Sequence, residues 1–124
     1  MKHRSFEELN VYKKSVEIRK LVYELVKRFP SEEKFRLTDQ IIRSTRKCPA
    51  NIAEGHGRFH FQENIQFNRI ARGSLTESID HLNVALECKF IKQEEYQNLR
   101  DRITSNIKLI NGYIKYLREQ KESK

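Results

Sequence analysis

Apolar residues recur at alternating spacings of three and four along four stretches of this 124-residue chain. The spacing is clearest near the carboxyl end, at Tyr96, Leu99, Ile103, Ile107, Ile110, Ile114 and Leu117. Such a row, called an apolar seam below, lines one face of an α-helix. The seams predict helices over about residues 8–29, 32–54, 61–89 and 93–118. Long helices with short connections predict an all-α fold, an antiparallel up-down-up-down four-helix bundle forming a single domain over residues 1–124.

Proline and glycine indicate where the predicted helices bend, end and cross. Pro49 lies inside the second helix, where it removes a backbone donor and crowds the preceding turn, so we expect a kink there. Gly55 and Gly57 follow, and we expect them to end this helix in a left-handed cap. Gly73 costs about 1 kcal/mol relative to Ala inside the third helix, so we expect a neighbouring helix to cross closely there. A row of small or modest residues lies beside it: Ala71, Ser74, Ser78, His81, Ala85 and Cys88.

The charge of the chain indicates a polyanionic partner. Lys and Arg total 25 against 17 Asp and Glu, a formal net charge of +8. A surface of this kind attracts RNA, DNA or anionic lipid. The second helix carries a basic stripe of Arg36, Arg43 and Lys47, with Arg46 beside it, which could follow a phosphate backbone. A solvated face that binds nothing explains so short a stripe equally well.

No arrangement of residues in the sequence forms a recognisable active site. His56 and His60 are four apart near Glu54, but glycines bracket His56 and no third His or Cys lies at ligand spacing, so we expect no metal site. The glycines match no phosphate-binding loop. Cys48 and Cys88 are expected to be reduced core residues. We expect a protein that is not an enzyme and binds no cofactor. No apolar stretch is long enough to span a membrane, so we expect a cytoplasmic location.

Five segments of the chain resemble one known protein family: FEELNVYKKS, FPSEEKFRLTDQIIRS, PANIAEGHGR, QFNRIARGSLTES and LINGYI. They are similar to the four-helix-bundle family that includes proteins encoded in intervening sequences of 23S ribosomal RNA genes. Accessory variability determinant (Avd) proteins of diversity-generating retroelements are relatives. The resemblance covers nearly the whole chain. It implies a homopentameric ring with a positively charged surface that binds nucleic acid, and for the Avd branch a complex with a reverse transcriptase and its template RNA.

One feature of the first helix favours an oligomer independently of the resemblance. Its apolar side chains cover an arc of roughly 200°, wider than one partner helix requires. We therefore expect this helix to contact more than its own bundle.

Three functions follow from the sequence and the resemblance. The first is a homo-oligomeric nucleic-acid-binding scaffold, with RNA and DNA both open, that acts by electrostatics and shape. The second is an accessory protein that docks a reverse transcriptase and its template RNA. The third is a structural bundle whose charge serves solubility. For the first function the expected phosphate contacts are Arg36, Arg43, Arg46, Lys47, Arg58, Arg69 and Arg72.

Overall fold

Four long helices form the protein. The computed structural model describes residues 5–123, in which α1 spans Asn10–Leu25, α2 Leu37–Gly57, α3 Phe61–Glu87 and α4 Gln93–Glu122. Each helix packs against the next, and α1 also packs against α4, so the four close into a bundle. The described residues contain no strand. The predicted all-α four-helix bundle is confirmed. Residues 1–4 and 124 of the predicted domain lie outside the described part.

The predicted seams form the core. One cluster of buried residues contains Ile18 and Val22 on α1, Ile41 and Ile52 on α2, and their counterparts on the other helices. Burying one such side chain contributes about 1.5–3 kcal/mol relative to leaving it exposed. The fully buried large aliphatic residues are Ile18, Ile41, Ile52, Ile65, Leu75, Leu82, Ile103 and Ile110.

The connection between α1 and α2 is longer than predicted, and the predicted limits at 29 and 32 are wrong. The α-helix ends at Leu25 and is followed by a 3₁₀ turn over Val26–Arg28. Phe29 is extended, with ψ 151°, because the residue before a proline is disfavoured in the helical region. Its buried ring lies 5.6 Å from that of Phe90, between centroids, which fixes the connection to the core.

The start of α2 lies at Leu37 because the preceding chain turns twice. Residues Ser31–Glu33 form a 3₁₀ turn, and Arg36 has non-helical angles of φ −123° and ψ −111°. The Leu37 amide, which has no partner within the helix, donates to Oε1 of Glu33 at 3.2 Å. Arg36 therefore lies in the connection, not on the polar face of α2.

The predicted start of α1 at residue 8 is also early. Phe6–Glu8 form a 3₁₀ turn, and α1 begins at Asn10 after the extended residue Leu9. The Phe6 ring packs edge-on against Tyr12, with centroids 4.9 Å apart. Part of the wide apolar arc of α1 is thus covered by the chain itself.

A bulky residue in the left-handed conformation follows the end of each of the helices α2 and α3. For α2 a glycine was expected to end the helix, and α3 was predicted to be longer. The α2 helix runs to Gly57, three residues beyond the prediction, and Phe59 takes the left-handed conformation with φ 54°. The α3 helix ends at Glu87, two residues short, because Lys89 is left-handed with φ 63°. No glycine has a positive φ, so the expected glycine cap is wrong. Such a conformation costs roughly 1–2 kcal/mol for a residue with a Cβ.

Two predictions about helix continuity have different outcomes. Pro49 lies within α2, which is continuous on both sides of it, and the kink there stays a prediction. The α4 helix extends to Glu122, four residues beyond the predicted end at 118. The additional turn consists of good helix formers, and Lys121 Nζ donates to Oε1 of Gln62 on α3 at 2.7 Å.

The α2 and α3 helices approach each other closely at Gly55, not at Gly73. A Cβ on Gly55 would lie 2.8 Å from Asn64 Oδ1 and 2.9 Å from Phe67 Cβ. A Cβ on Gly73 would meet no atom within 4 Å, because that residue faces away from the crossing. The row of small residues is buried as expected except for Cys88, which is exposed just beyond the end of α3.

Polar side chains inside the bundle hold helices together. The hydroxyls of Ser44 on α2 and Ser78 on α3 are 2.7 Å apart. Asn106 Nδ2 on α4 donates to Ser15 Oγ on α1 at 2.9 Å, and Ser15 Oγ lies 3.1 Å from Cys48 Sγ on α2. Cys48 is a buried core residue as expected, and this burial raises the pKa of its thiol to about 12.

The crossing at Gly55 leads to a test with a matched control. We expect Gly55→Ala to lower the free energy of unfolding by about 1–3 kcal/mol, because the new methyl group overlaps backbone and side-chain atoms of α3. Gly73→Ala adds the same methyl group to open space and should raise stability by about 0.5–1 kcal/mol. Urea denaturation measures both. Equal effects of the two substitutions would contradict this crossing.

Candidate nucleic-acid interface

The seven predicted phosphate contacts lie on different sides of the bundle. Lys47 lies on the side of α2 nearest α3, since its Nζ pairs with Glu77 of α3 at 3.2 Å. Arg46 lies on the side nearest α1, where it lines a groove between the two helices. Arg72 Nη1 donates to Asn111 Oδ1 of α4 at 2.7 Å. The structure therefore does not gather the seven into one patch.

Two cations of the α2 stripe have acidic partners. Arg43 Nε lies 3.0 Å from Asp39 Oδ2 one turn earlier, and its side chain is 74% exposed. Lys47 has Glu77 as its partner. Exposed pairs of this kind contribute roughly 0–1 kcal/mol, so a phosphate could replace the carboxylate at small cost. The acids nevertheless reduce the positive potential along this face.

Arg58 lies at the end of α2 and belongs to a local cluster. Its Nη2 donates to Glu54 at 2.8 Å, its Nη1 approaches Glu63 at 3.5 Å, and its guanidinium lies 5.0 Å from the centre of the Phe67 ring. The hydrogen bond with Glu54 raises the pKa of Arg58. The position of these acids indicates that the main role of Arg58 is to stabilise the turn between α2 and α3.

The remaining predicted cations keep an uncompensated charge. Arg69 Nη1 donates to the neutral side chain of Gln66 at 3.1 Å, as Arg72 does to Asn111. Arg36 and Arg46 are exposed, and their side chains have no hydrogen-bond or ion-pair partner among residues 5–123. These four are the predicted residues most available to an anion.

The groove between α1 and α2 contains cations that the sequence reasoning missed. It has a volume of about 360 Å³ and is lined by Arg19, Lys20, Tyr23, Glu24, Ile42, Thr45 and Arg46. A signal was present in the sequence, since Arg19 and Lys20 precede Tyr23 by four and three residues and so share one side of a helix. The sequence could not show that Arg46 faces them across the groove.

The two histidines near the end of α2 lie on either side of the turn, as the glycines suggested. His56 is in the last turn of α2, and its ring lies 6.3 Å from that of Phe59, between centroids. His60 precedes α3, with Nδ1 4.0 Å from Glu63 Oε2. Within residues 5–123, no three His, Cys, Asp or Glu side chains are grouped as a metal site would require. The absence of a metal site stays a prediction.

None of the helices in the described part of the chain is long and apolar enough to cross a membrane.

Comparison with known proteins identifies a family and similar solved structures. The sequence model of the family described as "23S rRNA-intervening sequence protein" matches residues 7–112. A crystal structure described as a protein with unknown function from the S23 ribosomal protein family of Bacteroides thetaiotaomicron VPI-5482 is similar, with a TM-score of 0.78 and 28% identity. The similarity covers 85% of this chain and 98% of that chain. No curated protein sequence matches the chain. The resemblance to the 23S rRNA intervening-sequence proteins is confirmed.

Glu77 links Lys47 to α3 and gives a pH-dependent test of this contact. The pKa of Glu77 is lowered chiefly by its hydrogen bond with His81, with Oε2 and Nε2 3.1 Å apart, and further by Lys47. A lowered carboxyl pKa stabilises the fold above the unfolded-state value, and that contribution is lost as the pH falls through the folded value. We expect Glu77→Gln to cost under about 1 kcal/mol near pH 7, since this side chain is 43% exposed.

The difference between Glu77→Gln and the unmodified protein should shrink as the pH falls from 7 through the acid range and vanish once the carboxyl group is protonated. Asp80→Asn is the matched control, because Asp80 is exposed on α3 and has no ion pair among residues 5–123. Thermal unfolding over this pH range measures both variants. A difference that persists unchanged at low pH would show that Glu77 acts through packing alone.

Proposed function

Because this chain belongs to the 23S rRNA-intervening sequence protein family, we propose that it is a homo-oligomeric, pentameric scaffold that binds structured RNA through its basic surface. The observation that carries the proposal is the net charge of +8 on a bundle whose core excludes every Lys and Arg among the described residues. Since the charged residues of the described part of the chain lie at the surface, a phosphate backbone is the partner that best complements them.

The proposed binding acts through charge and shape. The available cations lie on the α1, α2 and α3 sides of the bundle and in the α1–α2 connection, so one chain can contact phosphates in more than one direction. Among the seven predicted contacts, the charges of Arg69 and Arg72 on α3 and of Arg36 and Arg46 near α2 have no acidic partner in the described part of the chain. Folded RNA presents phosphates from several helices at once, whereas a single straight duplex presents them along one line. This distribution favours structured RNA, and DNA of similar shape is an outcome of the test below.

The pentamer in the proposal is supported by large apolar side chains that the bundle leaves exposed. On α1, Leu21 is 37% and Tyr23 51% exposed, although Phe6 covers the neighbouring Tyr12. Other large apolar side chains exposed by more than a third are Phe35, Phe59, Ile70, Leu109 and Tyr116. A stable interface needs about 800 Å² from each partner, and contiguous apolar surface is its usual core.

The proposed scaffold carries out no reaction and binds no cofactor, and we place it in the cytoplasm. Its role would be to hold an RNA or ribonucleoprotein in position, which needs only a rigid charged surface. The rigid helical bundle, tied by buried hydrogen bonds between Asn106 and Ser15 and between Ser44 and Ser78, supports such a role.

Docking of a protein partner, such as the reverse transcriptase of a retroelement, is the second candidate. Phe35 and Phe59, which are 85% and 79% exposed, favour it, because large exposed aromatic residues are enriched where proteins bind each other. A reverse transcriptase gene with template and variable repeats beside this one would favour the second candidate. Location within a ribosomal RNA gene would favour the first.

The RNA-binding proposal is tested by filter binding of a labelled RNA stem-loop over a range of salt concentrations. We expect the affinity to fall linearly on a log-log plot, with a slope of about −0.9 for each phosphate contacted. Arg43→Glu with Lys47→Glu should weaken binding and make the slope shallower by about 2. Lys108→Glu with Lys115→Glu, an equal charge change at exposed positions of α4, is the control. Equal losses in both double variants would overturn the assignment to α2, and no retention at any salt would favour a ligand-free bundle.

The proposed assembly is tested by light scattering. A pentamer of this 14.9 kDa chain should have a mass of about 75 kDa, because the exposed apolar residues of neighbouring subunits would bury each other. A mass near that of one chain would overturn the oligomer. The measurement should be made at moderate salt, so that repulsion between basic subunits does not hide association.

A further inference from the structure

The groove between α1 and α2 combines features that no other described groove shares. We propose that it binds one unpaired nucleotide of a single-stranded segment, with the base against Tyr23 and a phosphate between Arg46 and the Arg19–Lys20 pair. This inference rests on the proposed nucleic-acid binding and specifies which part of the nucleic acid is bound and where.

The charge of the groove favours an anion. Arg19, Lys20 and Arg46 line it, and their side chains have no hydrogen-bond or ion-pair partner among residues 5–123. The acid in the lining, Glu24, is paired with Lys27 at 3.0 Å. A phosphate entering the groove therefore meets three uncompensated cations and displaces no carboxylate. Elsewhere on α2, Arg43 and Lys47 would first have to leave Asp39 and Glu77.

The aromatic residue of the groove provides a surface for a base. The Tyr23 side chain is 51% exposed, and Lys27 Nζ lies 5.4 Å from its ring centre. A base can stack on the part of the ring that Lys27 leaves open. Proteins that bind single strands combine aromatic rings with cations in this way, because every base has a flat π surface whatever its sequence.

The size of the groove selects an unpaired nucleotide. Its volume of about 360 Å³ lies near the lower end of the range for small-ligand sites, roughly 300–1,000 Å³. One base with its phosphate fits such a space, whereas a base pair within a duplex cannot enter it. The lining also includes Ile42 and the buried Thr45, so the base would contact apolar atoms as well as the Tyr23 ring.

A second groove, between α1 and α4, lacks this combination of unpaired cations and an aromatic ring. Its volume is similar, about 330 Å³, but Lys14 and Arg102 lie in it with Glu17 and Asp101. Glu17 pairs with both cations, with distances of 3.8 Å to Lys14 and 3.6 Å to Arg102. It has balanced charge and no aromatic lining residue, so it offers neither a phosphate site nor a stacking surface.

The test compares three fluorescein-labelled polymers of about 15 nucleotides, within the span of known single-strand sites. They are oligothymidylate, a strand of abasic sites with the same phosphates, and a duplex. We expect the protein to prefer oligothymidylate over the abasic strand about 30-fold, the middle of the range for stacking of one base. Tyr23→Ala should abolish this preference, and Tyr23→Phe should keep it, because the phenyl ring also stacks.

Charge variants distinguish phosphate binding in the groove from general electrostatic attraction of nucleic acid to the basic surface. Arg46→Glu should weaken binding of oligothymidylate and of the abasic strand by the same factor and make the salt slope shallower by about 1. Arg118→Glu is the matched control, with the same charge change at an exposed position of α4 outside the groove, and should have the smaller effect. Circular dichroism confirms that each variant folds.

Other outcomes overturn the inference in distinguishable ways. Equal affinity for all three polymers, or a preference that survives Tyr23→Ala, would overturn the nucleotide site and leave the proposed function intact. Failure of the unmodified protein to bind these polymers and the RNA stem-loop would overturn both. A change in the light-scattering mass of Tyr23→Ala would show that a second copy of the chain covers the groove, which also excludes the nucleotide site.

Discussion

Mutual burial of the four apolar seams decides where every other group of this protein can lie. Once Ile18, Ile41, Leu75 and Ile110 and their neighbours occupy the centre, the charged residues must remain on the outer arcs of the helices. The positive surface is therefore a consequence of packing as well as of composition. The burial also brings α1 and α2 side by side, so that cations distant in sequence line the same groove.

Polar groups within the core make this packing specific. Apolar seams alone allow neighbouring helices to slide by a turn, because one aliphatic side chain replaces another at similar energy. The hydroxyl pair of Ser44 and Ser78, and the bond from Asn106 to Ser15, would lose their partners in any such shift. An unpartnered buried polar group costs about 1–3 kcal/mol, a large part of the stability of a small domain. Gly55 adds a steric requirement, because a side chain at this position would overlap atoms of α3 where the two helices cross.

The pairing of surface charges separates cations that shape the bundle from those free to bind. Arg58 joins two acids at the turn between α2 and α3, and Lys47 joins α2 to Glu77 on α3. In contrast, Arg46 and the cations opposite it on α1 have no acidic partner in the described part of the chain. A count of charges along the sequence treats all of these residues alike. Their different environments decide which of them can attract an anion, and the cations of the groove can. In the proposed function, this attraction fits a family that is named for ribosomal RNA genes.

The sequence by itself determined the four helices, the residues of their seams and the excess of positive charge. These depend on neighbours three or four residues apart and on composition, both of which can be read locally. Only the tertiary structure decided that Phe59 and Lys89 end helices in left-handed conformations, that Gly55 and not Gly73 is the crossing point, and that Arg46 faces Arg19 and Tyr23. Each of these depends on the distance and orientation between two helices. That geometry results from packing the whole core at once, so no single stretch of sequence contains it.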